Sequence, residues 1–168
     1  MLIRTEAPAD ILSIDRLLKE TFETEAEAQL VMSLRENGHF TLSLVACTDE
    51  GDVIGHAVFS PLHIDGEESS WQGIAPICVK PEFRHQGIGS QLIREGLDSL
   101  SELGYPGCIT SENSEFWSQL GFKTDPSLSV AGNETLVCQI LTLWEDHTPN
   151  PTGAIKFGVE FDHYLSAQ

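Results

Sequence analysis

Residues 73–90 read GIAPICVKPEFRHQGIGS, and this stretch decides how the rest of the chain is interpreted. The apolar run that ends at Val79 predicts a strand. Gly87 and Gly89 come next, at the start of a segment, residues 88–103, whose apolar side chains recur with the period of one helical face. The stretch therefore predicts a strand, a glycine-containing turn and an amphipathic helix in succession.

A helix that begins at such a turn presents free backbone N–H groups and the positive end of its dipole, which together bind anions. A Walker phosphate loop is excluded, because Ser90 follows the second glycine where that loop has lysine. A dinucleotide fingerprint is excluded, because Leu92 stands where it has a third glycine. The pattern Arg-x-x-Gly-x-Gly, which predicts a pyrophosphate site, fits Arg84, Gly87 and Gly89, although Gly-x-Gly alone also occurs in ordinary turns.

The remaining elements follow from hydrophobic period and turn residues. Strands are predicted over residues 2–5, 41–48, 53–60 with an extension at 62–65, 73–79, 107–110, 135–143 and 154–161. Helices are predicted over residues 11–22, 28–37, 88–103 and 114–120, and a proline-rich turn over 148–151. This order indicates a mixed α/β fold, and because no linker divides it we expect one domain over residues 1–168.

The flanks of the glycine turn carry a family resemblance. Residues 79–84 (VKPEFR) precede the turn, and Gly121-Phe122 follows the next short helix. With these flanks the chain resembles the GNAT superfamily of acyl-CoA N-acyltransferases from residue 3 to about residue 125, and residues 104–108 (GYPGC) are similar to a bacterial branch of small predicted acetyltransferases. The resemblance implies a central, mostly antiparallel sheet flanked by helices. It also implies an acetyl-CoA-dependent N-acetyltransferase that acts on a primary amine, of a small molecule or a protein, by direct transfer in a ternary complex.

The resemblance also implies which residues hold acetyl-CoA, with no metal required. Backbone N–H groups from Gln86 to Ser90 would bind its pyrophosphate, and main-chain groups of Ile77 and Val79 would pair with its pantetheine amides. His85 is either a phosphate contact or a solvated loop residue. The implied cofactor-binding residues are Ile77, Cys78, Val79, Arg84, His85, Gln86, Gly87, Ile88, Gly89 and Ser90.

The catalytic pattern departs from the family. Ala75 and Pro76 occupy positions where many members carry acidic residues, and neither is a base. Trp117 stands in the position of the family's acidic tyrosine, and its indole N–H only donates. Trp117 is therefore the candidate catalytic residue, either bonding the CoA sulfur or lining the acyl site while water carries the proton. The alternative is a catalytically silent acyl-CoA-binding module.

Several other side chains are candidate bases or nucleophiles. Candidate bases are His56, His63, Asp65, Glu25 and Glu27, each of which also has an interpretation as an ordinary solvated or core polar group. Cys78 suggests a covalent mechanism, but free cysteines are usually buried, and we expect all four cysteines to be buried thiols.

Charge limits the partners. The chain has 26 acidic and 9 basic residues and a net charge of −17, which argues against nucleic acid and anionic membrane surfaces as partners. The acidity is consistent with a cationic amine acceptor, although it also promotes solubility. The charged N-terminal residues show no targeting segment, so we expect a cytoplasmic protein. Family habit suggests a homodimer through the last strands, residues 135–161.

Overall fold

The computed structural model describes residues 1–112, 114–144 and 149–166. Thr148, the first residue of the predicted proline-rich turn, lies outside these ranges. The strands are β1 (Leu2–Thr5), β2 (Leu42–Cys47), β3 (Val53–Ile64), β4 (Glu67–Val79), β5 (Gly107–Thr110), β6 (Lys123–Thr124), β7 (Leu128–Val130), β8 (Gln139–Thr142) and β9 (Gly153–Lys156). The α-helices are α1 (Ile11–Thr21), α2 (Ala26–Asn37), α3 (Ile88–Glu102), α4 (Glu115–Gln119) and α5 (Glu160–Ser166).

The strands form one open sheet in the order β1-β2-β3-β4-β5-β8-β6. Adjacent strands in this order are antiparallel, except for β4 and β5, which are parallel. Strand β9 pairs with the end of β3 and, in parallel, with β7. The prediction of a mixed, mostly antiparallel sheet flanked by helices is confirmed.

Helices cover both faces of the sheet at β2, and the alternation of side chains along the strand explains how. Leu44 and Ala46 belong to the cluster that α3 completes, whereas Val45 and Cys47 belong to the cluster formed with α1 and α2. Every residue of β2 is therefore buried, as expected for a strand covered on both sides.

The prediction of a strand over residues 154–161 is wrong in its second half. Strand β9 ends at Lys156, and α5 begins at Glu160. Within α5, Phe161 and Tyr164 are three residues apart, the spacing of one helical face, but a seven-residue helix is too short to show that period clearly in the sequence. The predicted strand over 135–143 is also too long, since β8 comprises only Gln139–Thr142.

Other strands were missed because their sequences are polar or very short. The first four residues of β4 are polar and mostly exposed, and β6 and β7 contain two and three residues. All four cysteines are buried, which confirms that prediction. In the described part of the chain no helix is both long and apolar enough to cross a membrane.

Candidate active site

The site lies where two parallel neighbours separate. Strands β4 and β5 pair only through Gln72 and Cys108, so the end of β4 has an edge without a strand beside it. The register between β3 and β4 slips next to Ala75, where β4 has one residue more than its partner. A bulge of this kind bends its strand and re-aims side chains. The open edge and the bulge together create space between the two strands.

Peptide groups line the open edge of β4. Lys80 N–H donates to the Ile54 carbonyl at 2.7 Å, and in an antiparallel pair alternate residues bond the partner strand. Ile77 and Val79 therefore direct their peptide groups away from β3, toward the open edge. The Val79 carbonyl accepts a hydrogen bond from Arg84 Nε at 3.1 Å, which fixes the arginine beside the strand end.

The glycine turn leads from this strand into α3. His85 and Gly87 have φ of 65° and 80°, in the left-handed region that a glycine adopts without strain. The bond from Gln91 N–H to the Gly87 carbonyl is the first of the helix, so the N–H groups of Ile88, Gly89 and Ser90 have no acceptor within it. The turn therefore presents the backbone donors that an anion requires.

A groove of about 310 Å³ runs along the open edge, and we call it the β4 groove. It brings together Ile77, Cys78, Val79, Arg84, Gly89 and Trp117 with Phe22 and Phe116. A Cβ added at Gly89 would lie 3.8 Å from the Phe116 ring and 3.9 Å from Val79, so this glycine keeps the groove open. His85 and Gln86 are exposed on the turn, and the Ile88 side chain is buried in the core.

A second cavity, of about 180 Å³, adjoins the β4 groove, and we call it the inner cavity. Its walls come from β4, β5, β9 and α5, and they include Ala75, Ile109, Glu112, Phe157, Phe161 and Tyr164. Glu112 and Trp117 line both spaces. The two cavities therefore meet at a carboxylate and an indole.

Trp117 holds the Glu112 carboxylate in place. Its Nε1–H donates to Glu112 Oε2 at 3.0 Å, and its side chain is 2% exposed. Phe116 and Phe122 pack edge-on against the indole, with ring centroids 5.0 and 5.2 Å away. The indole N–H is thus directed at Glu112, and the ring lines the site.

Tyr164 places a phenol in the inner cavity. Burial, together with the nearby carboxylates of Glu27 and Glu112, raises the pKa of Tyr164 to about 12. The phenol therefore stays protonated at neutral pH. Glu27 is itself 5% exposed, and its Oε1 has no hydrogen-bond partner.

Most of the other candidate bases lie away from this junction. His56 is fully buried, its Nε2 lies 2.9 Å from Ser43 Oγ, and burial lowers its pKa. Asp65 Oδ1 accepts the Ala154 N–H at the β3–β4 hairpin, and His63 pairs with β9. Glu25 is exposed just before α2. Only Glu27 approaches the inner cavity, behind Tyr164.

Cys78 lines the β4 groove but is a poor nucleophile. Its side chain is buried, and that burial raises the pKa of the thiol to about 12. The reactive thiolate is therefore scarce at neutral pH.

Sequence reasoning missed Glu112 and Tyr164. Glu112 comes two residues after the end of β5, the strand predicted to separate from β4, and its position there was the available signal. The sequence does not indicate a role for Tyr164, because the predicted strand continues past Lys156 to Phe161 and leaves Tyr164 beyond its end.

Comparisons with known proteins show the family of the chain. The GNAT acetyltransferase domain family matches residues 38–124. The N-acetyltransferase YhbS of Escherichia coli strain K12, described as uncharacterized, is 42% identical over 168 residues, which cover 98% of this chain and all of YhbS. The chain therefore belongs to the GNAT acetyltransferase family.

Two solved structures have the same fold. The crystal structure of Escherichia coli YhbS in complex with CoA has a TM-score of 0.87 at 42% identity, and the match covers 96% of this chain and 91% of YhbS. A GNAT acetyltransferase from Brucella melitensis in complex with acetyl-CoA has a TM-score of 0.79 at 33% identity, with 96% and 97% covered.

Proposed function

We propose that this protein is an acetyl-CoA-dependent N-acetyltransferase that transfers the acetyl group directly to a primary amine in a ternary complex. The observation that carries the proposal is the meeting of the β4 groove and the inner cavity at Glu112 and Trp117. Two substrates bound in adjoining spaces can react without a covalent enzyme intermediate, because the site supplies their proximity.

The β4 groove fits acetyl-CoA. Its open strand edge offers peptide groups of Ile77 and Val79 to the pantetheine amides, as an added strand would pair. The N–H groups at the start of α3 suit a pyrophosphate, and Gly89 leaves room beside them. The CoA and acetyl-CoA complexes of YhbS and of the Brucella protein support this assignment.

Glu112 is the base that we assign to the acceptor. An amine attacks only as the neutral molecule, and a carboxylate at the junction accepts the proton that the nitrogen loses as the C–N bond forms. Trp117 orients that carboxylate through its N–H. When the C–S bond breaks, the CoA thiolate takes a proton from water and the protonated Glu112 returns its proton to the resulting hydroxide, so the products are the amide, free CoA and the original carboxylate.

A covalent route through Cys78 is disfavoured, since burial raises the pKa of its thiol to about 12. The Glu112 carboxylate also weakens the alternative of a silent acyl-CoA-binding module, which was suggested by the absence of acidic residues at Ala75 and Pro76.

Two measurements test the proposal. Thermal unfolding is followed against acetyl-CoA concentration, with NADH and ATP as controls, and a ligand at about 100 times its Kd adds about 2.7 kcal/mol. Release of CoA thiol is then measured with a screen of small amines and basic peptides. A selective thermal shift and amine-dependent, saturable thiol release are expected. A shift without release from any amine would favour the silent module, and no shift at millimolar acetyl-CoA would refute the cofactor assignment.

A further inference from the structure

One wall of the inner cavity consists of aromatic rings. Phe157 and Phe161 are stacked with centroids 4.2 Å apart and planes inclined by 22°, and Tyr164 meets Phe161 edge-on at 6.4 Å. The Phe157 ring occupies space that exists only because Gly73 has no side chain, since a Cβ there would lie 2.4 Å from the ring. Aromatic faces attract organic cations, most strongly where water is excluded.

Two carboxylates flank this aromatic wall. Glu112 lines the cavity, and Glu27 lies behind Tyr164, 95% buried and with Oε1 lacking a partner. Among the described side chains, no Lys, Arg or His lies within 4.0 Å of either carboxylate. The Glu112 side chain is exposed, whereas Glu27 is buried, and a negative charge buried in a low dielectric acts over a longer distance than one in water. Two carboxylates therefore lie near the aromatic wall, and among the described residues neither is paired with a cation.

We infer that the acceptor is a short diamine, one amino group of which reacts at Glu112 while the other, protonated, lies against Phe157 and Tyr164. This inference rests on the proposed function. The cavity of about 180 Å³ is smaller than the roughly 300–1,000 Å³ of pockets for drug-sized ligands, so it suits a compact molecule. The net charge of −17 adds attraction for a dication at long range.

The same groups discriminate against related acceptors that lack a second amino group. A monoamine with the same number of carbon atoms lacks the second ammonium, and so loses its attraction to the rings and to Glu27. An amino acid with the same number of carbon atoms brings a carboxylate toward Glu27 and is repelled. The cavity thus ranks acceptors by the charge of the end that does not react.

The test compares three acceptors that differ only at that end: 1,4-diaminobutane, butylamine and 4-aminobutanoate. We measure kcat/KM from CoA thiol release at saturating acetyl-CoA. The kcat/KM for the diamine is expected to exceed that for butylamine by about tenfold or more, where tenfold corresponds to about 1.4 kcal/mol. The kcat/KM for 4-aminobutanoate is expected to be lower than that for butylamine. Equal values for the diamine and butylamine, or a preference for the carboxylate, would overturn the inference.

Two variants test whether Glu27 and the aromatic wall cause the preference for the diamine. Glu27→Gln keeps the shape of the side chain, and Phe157→Leu removes a ring from a residue that is only half-buried. Each is expected to reduce the ratio of the kcat/KM for the diamine to that for butylamine severalfold, and the exposed Glu25→Gln, which should keep the ratio of the parent protein, is the matched control. An unchanged ratio in both folded variants would overturn the inference.

The outcomes separate this inference from the proposed function. Turnover of butylamine without a diamine advantage refutes the diamine but leaves the acetyltransferase intact. No release with any of the three amines also refutes the diamine, and the wider screen of amines and peptides then decides the proposed function independently.

Discussion

The two halves of the candidate site are encoded differently. The β4 groove takes its functional groups from a strand end, a turn and the first residues of a helix, all within residues 77–90. The inner cavity takes Ala75, Glu112, Phe157 and Tyr164 from four segments spread over 90 residues. A site built from backbone groups leaves a contiguous pattern in the sequence, whereas a site built from side chains depends on how distant segments meet.

This difference predicts how each half responds to substitution. Changes in the β4 groove should alter the binding of acetyl-CoA, and changes in the inner cavity should alter the rate or the acceptor KM. The substitutions below separate these two responses, beginning with the largest effect on activity.

Glu112→Gln should lower kcat by about 100- to 10,000-fold, the range that a general base contributes, while the Kd of acetyl-CoA stays within a factor of two of the original. The amide keeps the size of the side chain but accepts no proton. Amine-dependent thiol release measures kcat, and ligand-dependent unfolding measures the Kd. The control is the exposed Glu115→Gln on α4, which should behave as the parent protein. A variant that retains full kcat would remove Glu112 from the mechanism.

Gly89→Val should weaken acetyl-CoA about 10- to 100-fold, which corresponds to an overpacking cost of about 1.4–2.8 kcal/mol in the bound state. The added methyl groups would point into the β4 groove, where a Cβ already reaches the neighbourhood of Phe116 and Val79. Isothermal titration of acetyl-CoA checks the affinity.

Gly89→Ala is the graded control for the same position. Its Cβ makes only ordinary contacts of 3.8 and 3.9 Å in the free protein, so its stability without ligand should be at least that of the parent. An unchanged affinity in the valine variant would mean that the groove is not the cofactor site.

The same contrast explains what the sequence could predict. The α3 segment shows a complete amphipathic period and a Gly104 stop, and it was predicted to within a residue. The glycine turn could be predicted because Gly87 has a left-handed φ that most side chains disfavour. A position of this kind favours glycine, and the glycine is visible in the sequence. Helix α5 was not predicted, because its seven residues are too few to show a helical period clearly.

The carboxylate at the junction shows the limit of motif transfer. The family motif identifies Ala75 and Pro76 as positions where the family's acidic residues are absent. It also identifies Trp117 as the residue in the position of the family's tyrosine. In the proposed mechanism the role of Trp117 depends on its 3.0 Å bond to Glu112, five residues earlier in the loop after β5. The family motif does not indicate that contact, because the path of the loop between β5 and α4 brings the two side chains together.

Trp117→Phe should lower kcat about tenfold, because it removes a hydrogen bond to a charged group, which contributes about 1.5–3 kcal/mol at most. Trp71→Phe, a buried tryptophan that lines neither cavity, controls for loss of packing. Equal losses of kcat in Trp117→Phe and Trp71→Phe would reduce Trp117 to a packing residue.

Gly73→Ala should raise the acceptor KM severalfold and leave the Kd of acetyl-CoA unchanged. A Cβ at this position would lie 2.4 Å from Phe157 and 2.8 Å from Leu62, so the ring must move, and overpacking of this kind costs about 1–3 kcal/mol of stability. Steady-state kinetics and thermal unfolding measure the two effects. Ser70→Ala, an exposed change on the same strand, should have neither. Weaker acetyl-CoA binding would show that the two halves are mechanically coupled.

The smallest effect on activity is expected at a buried network outside both cavities. Burial raises the pKa of Glu6, but the influence of His56, whose Nε2 lies 3.9 Å from Glu6 Oε1, and hydrogen bonds from Arg35 and Ser43 outweigh burial and lower the pKa from 4.5 to about 2. Because the folded-state pKa is the lower one, the ionised carboxylate stabilises the fold above pH 4.5, and this contribution of at most about 3 kcal/mol is lost between pH 4.5 and 2. Burial also lowers the pKa of His56 below 6.5, so stability begins to fall as the pH drops through 6.5.

Glu6→Gln should therefore lower the free energy of unfolding at pH 7 and flatten its fall between pH 4.5 and 2, measured by urea unfolding at several pH values. The exposed Glu36→Gln on α2, next to Arg35, should preserve the full slope. The kcat of the folded fraction should be unchanged in both variants, because the network holds α2 to the sheet and supplies no group to either cavity. A large loss of kcat in Glu6→Gln alone would mean that the position of α2, which carries Glu27, sets the geometry of the inner cavity.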